Sequence, residues 1–429
     1  MERNLYEQLV KNYNNELTHS GVNGKRLAAR LDELSRIGLM ESGGVTRPGY
    51  SEEEKRAKEL VISWMESAGL SVTADGAGNV FGRLEGKKDT PAIVSGSHVD
   101  SVPNGGHFDG PLGVLSALEV VEAWKETGYI PEKPYEVAIF SDEEGSRFKS
   151  SLTGSRAFMG QMKPEEMDSL RDENGKSFRE VLAEYGSSAE ECLRAGNNRR
   201  EMDTFVEVHI EQGKVLEREG QPVGVVRGIA GPASLEVTFT GEAGHAGNTP
   251  MAGRKDPLVA ASLFVGAIEK FPKQVSDTAV ATVGKLNVHP NGFNVIAQEV
   301  KLIVDIRDIF EETRDQLLEI ISEEARKIAE ERNIEVQMNL NAKIKPLPIK
   351  ETLQAKIAGS LSKFDIKPVY IPSGAGHDTM IVGTEIPAAM LFVRSKDGIS
   401  HNPREWTSLN DCVYGVHVLK DFVEGLMED

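Results

Sequence analysis

PAIVSGSHVDSVPNGGHFDGPLGVLSALEVVEAWKETG, residues 91–128, decides the fold class. Its first residues are a short apolar run of the kind that forms a buried strand. Its last residues, from Ser116, carry apolar positions at helical spacing up to Gly128, a common helix stop. Between them lies a glycine-rich loop holding His98, Asp100, His107 and Asp109. A strand, a loop and a helix in that order form half of a βαβ unit, and the charged loop is either a solvated surface turn or a metal site. The rest of the chain has to decide.

Three further apolar runs end in the same way. YEVAIFS leads into Asp142-Glu143-Glu144, TFVEVH ends on His209, and PAAMLFVRS leads after a short loop into His401. Helical segments alternate with these runs, which implies an α/β fold with a mainly parallel sheet flanked by helices. Ligands of such sheets bind beyond the carboxyl ends of the strands, and all four runs deliver imidazoles or carboxylates there. Upstream, RLAARLDELSRIG and SEEEKRAKELVISWMESAG read as helices. SVTADGAGNVFGRLEG reads as a hairpin turning around Asp75-Gly76 and Gly78-Asn79.

Between Ala233 and about Ile344 the order changes to β-α-β-β-α-β, a ferredoxin-like pattern. The expected architecture is therefore a discontinuous catalytic domain, residues 1–231 and 346–429, interrupted by a smaller α+β domain at 232–345. A length of 429 residues suits two domains. The net charge of −18 opposes nucleic-acid binding. Cys192 and Cys412 are the only cysteines, which argues against a disulfide framework or thiolate zinc site and suits a reducing compartment. No segment has signal-peptide or membrane-spanning character, so the expectation is a cytoplasmic enzyme with no membrane partner.

His98, Asp109, Glu143, Glu144, His209 and His401 form a nitrogen-and-carboxylate donor set suited to zinc, manganese or cobalt. Two histidines and a shared carboxylate can hold one ion, and a histidine with two carboxylates a second. Asp100 can reach the other ring nitrogen of His98 and fix its tautomer. Adjacent residues at the end of an extended strand point opposite ways, so Glu143 and Glu144 can serve different tasks.

GSHVDSVPNGGHFDGPLGV, FSDEEGSRF, HIEQG, NVIAQE, DIRD, SGAGHD and DGISHNPRE resemble the hydantoinase/carbamoylase branch of the dinuclear-zinc aminoacylase and carboxypeptidase superfamily. The likeness spans nearly the whole chain in order. It implies hydrolysis of N-carbamoyl-L-amino acids to the amino acid, carbon dioxide and ammonia. Allantoate hydrolysis is the alternative, followed by β-ureidopropionate or a dinuclear dipeptidase or aminoacylase activity. It implies two divalent metal ions per chain, with His98 and His209 on one, Glu144 and His401 on the other, Asp109 between them, and Glu143 as general base. Two features separate the chain from the peptidase relatives: the short gap from His98 to Asp109, and His209 where those relatives usually carry a carboxylate.

The substrate it implies is a small carboxylated ureido compound. Arg307 would grip the carboxylate, although an ion pair with Asp305 or Asp308 is the plain alternative. Gln212 and Asn294 resemble polar substrate contacts, and His245 in GEAGHAG a histidine that stabilises the oxyanion; read alone, GEAGHAG is a glycine-rich turn. Gly376 and His377, in SGAGHD, resemble the loop closing the other side. The resemblance further implies that the smaller domain mediates a homodimer and closes over substrate. His107, His19, His289 and His417 match no ligand position.

Overall fold

The computed structural model describes residues 4–428. The chain folds into two compact units. The first comprises residues up to Val226, Ile349–Ile371 and His377 onward; the second comprises Arg227–Pro348 and Pro372–Gly376. The boundaries expected at 231/232 and 345/346 thus move by a few residues, and a five-residue segment joins the second unit. Hydrogen bonding explains the shift. Leu347 pairs with Ile229 across a short ladder, and the Ala230 amide donates to the Ser373 carbonyl.

The first unit is built on a mixed sheet. Its centre is four parallel strands side by side, Tyr135–Phe140, Ala92–His98, Met202–Ile210 and Ala388–Val393. The Ser71–Ala74/Val80–Leu84 hairpin extends one side antiparallel, and the Val223–Ile229 strand, which leaves the unit at Val226, extends the other. Every residue of Ala92–His98 is buried, as expected of a central strand covered on both faces. The quoted stretch continues as expected into the Pro111–Thr127 helix, which starts on a proline and stops at left-handed Gly128. The expected upstream helices run over Gly24–Ser35 and Glu52–Ala68. Short helices between Thr153 and Arg194 form a satellite core around Phe148, Phe178 and Leu182.

The second unit has strands Gly231–Thr240, Val280–His289, Glu299–Asp308 and Glu335–Lys343, ordered fourth-first-third-second and antiparallel throughout. Helices Pro257–Ile268 and Glu311–Arg332 supply Phe264, Leu317 and Ile321 to a core with Val237, Phe239 and Val304. This is the ferredoxin-like arrangement that the β-α-β-β-α-β order predicts. Among the described residues no helix is long and apolar enough to cross a membrane.

Candidate metal centre

Because the four central strands are parallel neighbours, their carboxyl ends fall along one edge of the sheet. His98 closes its strand and His209 sits near the end of its own. Asp109 precedes the helix that begins at Pro111. Between them Gly110 has φ +80°, and a Cβ there would lie 2.4 Å from the His98 ring. Only glycine lets the backbone turn left-handed this close to the imidazole.

Among the described residues, two groups of side chains could each hold a metal ion, His98–Asp109–His209 and Asp109–Glu144–His401, and Asp109 belongs to both. Asp109 Oδ1 lies 3.6 Å from His98 Nε2 and 3.2 Å from His209 Nε2. His401 Nε2 lies 3.5 Å from Asp109 Oδ2 and 3.3 Å from Glu144 Oε2. Ligand atoms about 2.0–2.1 Å from a tetrahedral ion are separated by roughly 3.3–3.4 Å, so these spacings fit a zinc-sized ion in each group.

Hydrogen bonds orient the buried rings before any ion arrives. His98 Nδ1 lies 3.1 Å from the Asp100 carbonyl and His209 Nδ1 3.0 Å from the Ile210 carbonyl. Both rings therefore carry a proton on Nδ1 and turn Nε2 toward Asp109. His98 Nε2 is buried with no hydrogen-bond partner, an orphan that a cation would satisfy. The Asp100 carboxylate is 3.4 Å from His98 Nδ1 and accepts the Glu143 and Glu144 amides at 3.2 and 3.1 Å. It thereby ties the strand-end histidine to the acidic pair.

That pair is not on an extended strand, as the sequence suggests. The strand ends at Phe140, and Asp142 turns left-handed at φ +51°. Beyond the bend, which the Leu152 amide clamps at the Glu143 carbonyl, the two carboxylates diverge: Glu143 Oε2 is 3.7 Å from His98 Nε2 while Glu144 faces His401. Like charges are crowded here. Burial, and then Asp109, push Glu144 up to about 8. Burial also lifts Glu143 well above the carboxylate range, against the pull of His98. Burial would depress His98, but Glu143 and Asp100 lift it well above its ordinary value. Burial would raise Asp109, and His209 and His98 hold it far below. A buried cluster of carboxylates balanced only by imidazoles suits divalent cations.

The other expected residues divide by unit. Gln212 Nε2 donates to Asp109 Oδ2 at 2.7 Å and lies 3.5 Å from His401 Nε2. His377 is buried with its ring 4.5 Å from that of His209. Burial, and then His209, hold it well below the usual imidazole range, so it is neutral. In the second unit His245 is exposed, and its Nδ1 accepts the Gly247 and Asn248 amides at 3.1 and 3.2 Å. The proton of the neutral ring is then on Nε2, ready to donate. The Asn294 carbonyl accepts the Ala246 amide, and Val295 pairs with His245, so Asn294 and His245 share one small ladder. Arg307 makes a two-pronged pair with Asp305 at 2.7 and 2.9 Å and donates to the Gly374 carbonyl at 2.6 Å. Of the two readings of Arg307, the ion pair is thus formed. Gly376 lies in the Pro372–Gly376 segment of this unit. His107 belongs to neither ligand group.

Sequence reasoning passed over several buried polar groups. Glu207 accepts from Ser97 Oγ at 2.7 Å and from the Thr379 amide and hydroxyl at 3.1 and 2.6 Å. A charge inside the apolar run TFVEVHI was its only signal. Arg47 is buried and donates to the carbonyls of Val99, Leu34 and Ile37, and nothing in its neighbourhood in sequence announces it. Ser400 and Glu405 flank His401 and had no role assigned.

Residues 94–425 match peptidase family M20/M25/M40. The chain is 43% identical over 399 residues to an N-carbamoyl-L-amino acid amidohydrolase of Geobacillus stearothermophilus, covering 93% of this chain and 97% of that protein. It is 36% identical over 394 residues to an allantoate amidohydrolase of Bacillus subtilis, covering 92% and 95%. A crystal structure of a hydantoinase/carbamoylase-family amidase from Burkholderia multivorans superposes with a TM-score of 0.88 at 35% identity, over 94% of this chain and 98% of that one. With its fold, its paired donor groups and these similarities together, the chain belongs to peptidase family M20/M25/M40.

Proposed function

We propose that the protein is a metal-dependent amidohydrolase that removes the carbamoyl group of N-carbamoyl-L-amino acids. The observation that carries this reading is Asp109 shared between two ligand groups, with Glu143 beside them, in a chain so similar to an N-carbamoyl-L-amino acid amidohydrolase. His98, His209 and Asp109 would hold one divalent ion, and Asp109, Glu144 and His401 a second; zinc, manganese and cobalt all suit these donors. Ions bound there would supply Lewis acidity to a carbonyl and lower the pKa of water.

The chain's own residues account for the rest. Glu143 accepts the proton of the attacking water and returns one to the α-nitrogen as the carbon–nitrogen bond breaks. The products are the amino acid and carbamic acid, which falls apart to carbon dioxide and ammonia. Asp100 keeps His98 and the acidic pair in register. Gln212, Asn294, Gly376 and His377 contact the substrate, and His245 donates Nε2–H to the developing oxyanion. Arg307 takes the α-carboxylate by giving up part of its pair with Asp305.

The decisive measurement is a substrate panel on the metal-loaded protein: N-carbamoyl-L-methionine, allantoate, N-acetyl-L-methionine and a methionyl dipeptide. Turnover of the carbamoyl compound above the others is expected, and turnover of the dipeptide alone would overturn the reading. Preference for allantoate would establish the second reading, which the Bacillus subtilis relative supports.

The same proposal includes a homodimer formed through the second unit. Leu258, Val259, Leu263 and Val265 on its first helix and Val280 and Leu286 on its edge strand are exposed, and an uncovered strand edge beside apolar surface favours pairing. A stable monomer by light scattering at micromolar concentration would count against it.

A further inference from the structure

A buried carboxylate that is not itself a ligand sits directly behind the shared one. Glu405 is 2% exposed. Its Oε1 accepts the backbone amides of Phe108 and Asp109 at 2.9 and 3.1 Å. Its Oε2 lies 3.0 Å from Ser400 Oγ, whose one hydroxyl proton is shared between Glu405 Oε2 and Asp109 Oδ2. Glu405 therefore grips Asp109 at both ends, by its backbone directly and by its carboxylate through Ser400.

The surrounding chain is shaped to allow this. A Cβ on Gly106 would lie 2.0 Å from the Glu405 carboxyl carbon, so the loop can pass over the carboxylate only as glycine. On the other side the Glu405 amide donates to the Asn402 carbonyl, and the Arg404 amide to Asn402 Oδ1, in a tight turn. Glu405 thus fastens the loop that carries Asp109 to the loop that carries His401. Setting a second carboxylate beside a buried Asp109 opposes stability through like-charge repulsion.

We propose that Glu405, acting through Ser400 and the Phe108 and Asp109 amides, is the positioning residue of the shared carboxylate, so that both ion positions depend on it. This rests on the dinuclear reading above. Ligand-orienting partners of this kind change metal affinity by about ten- to a hundredfold. Because Asp109 belongs to both groups, the loss should fall on both equivalents of metal rather than one.

The test is manganese and zinc binding to the full-length apoprotein by chelator competition, for wild type, Ser400→Ala, Glu405→Ala and Glu405→Gln. Thermal unfolding of each metal-free protein is followed in parallel. Wild type that binds no metal would sink the dinuclear reading itself. Given binding by wild type, Ser400→Ala should weaken both equivalents about tenfold or more with an unchanged apoprotein midpoint. Glu405→Gln keeps an acceptor for the two amides and a donor toward Ser400, and should recover most of what Glu405→Ala loses. Wild-type affinity in Ser400→Ala, or weakening of one equivalent alone, would overturn the proposal. So would a Glu405→Gln protein as defective as Glu405→Ala.

Discussion

The buried histidines of the first unit and the candidate substrate contacts of the second are held in opposite states. In the first, His98 and His209 are buried, oriented by backbone carbonyls and aimed at Asp109. In the second, His245 and Asn294 are exposed, and Arg307 is already committed to Asp305. Ligands of an ion must be rigid, because the ion's geometry tolerates little error. Groups that receive a substrate can be held loosely and complete their contacts on binding. Defects in the first unit should therefore appear in turnover and metal content, and defects in the second in substrate binding.

The largest effect should come from Glu143→Gln. With proton transfer removed and the ligand groups untouched, turnover should drop by about 10²–10⁴ while metal content stays at the wild-type level. Near-normal rates would remove Glu143 as the base. Next, His98→Ala should lose bound metal by elemental analysis, whereas His107→Ala, in the same loop, should retain it. Equal losses would break the distinction between the two histidines.

Arg307→Ala tests the second unit. A two-pronged bond to a charged group is worth about 1.5–3 kcal/mol, so the Michaelis constant for carboxylated substrates should rise roughly ten- to a hundredfold with kcat much less affected. An unchanged Michaelis constant would place the residue's role in its pair with Asp305 alone.

The smallest effect is one of pH. Glu144 is pushed up from 4.5 to about 8 by burial and Asp109, and Asp378 from 3.8 to about 8 by burial and Glu207. Carboxylates that hold their protons in the folded state but release them on unfolding stabilise the fold below their unfolded values. That stability is lost as pH rises, and is gone above about pH 8. The raised value of His98 acts with the same sign. Metal-free protein should therefore have a lower unfolding midpoint at pH 9 than at pH 6, with saturating metal flattening the trend. A midpoint that rises with pH in metal-free protein would contradict this electrostatic account.

Much of the fold and the site could be read in the chain. Apolar runs ending in His98 and His209, or leading into Glu143-Glu144 and His401, marked the strands and the edge at which they meet, because strand period and strand ends are local properties. The same locality made the β-α-β-β-α-β insertion readable. Glu405 and Glu207 were harder, since a glutamate's burial depends on what packs over it. Arg47 left no trace at all, as its three carbonyl partners come from elsewhere in the chain.

The sequence by itself determined the elements, their order, and which residue types stand at the strand ends. Periodicity, glycine and proline act within a few residues, and composition excludes whole classes of partner. Tertiary structure decided which of those residues meet. It made Asp109 common to two groups, carried Glu143 and Glu144 off the strand through a left-handed Asp142, and closed the fork of Arg307 on Asp305. Distances between side chains remote in sequence, and the burial that shifts their charges, come into being only when the sheet and its loops are assembled.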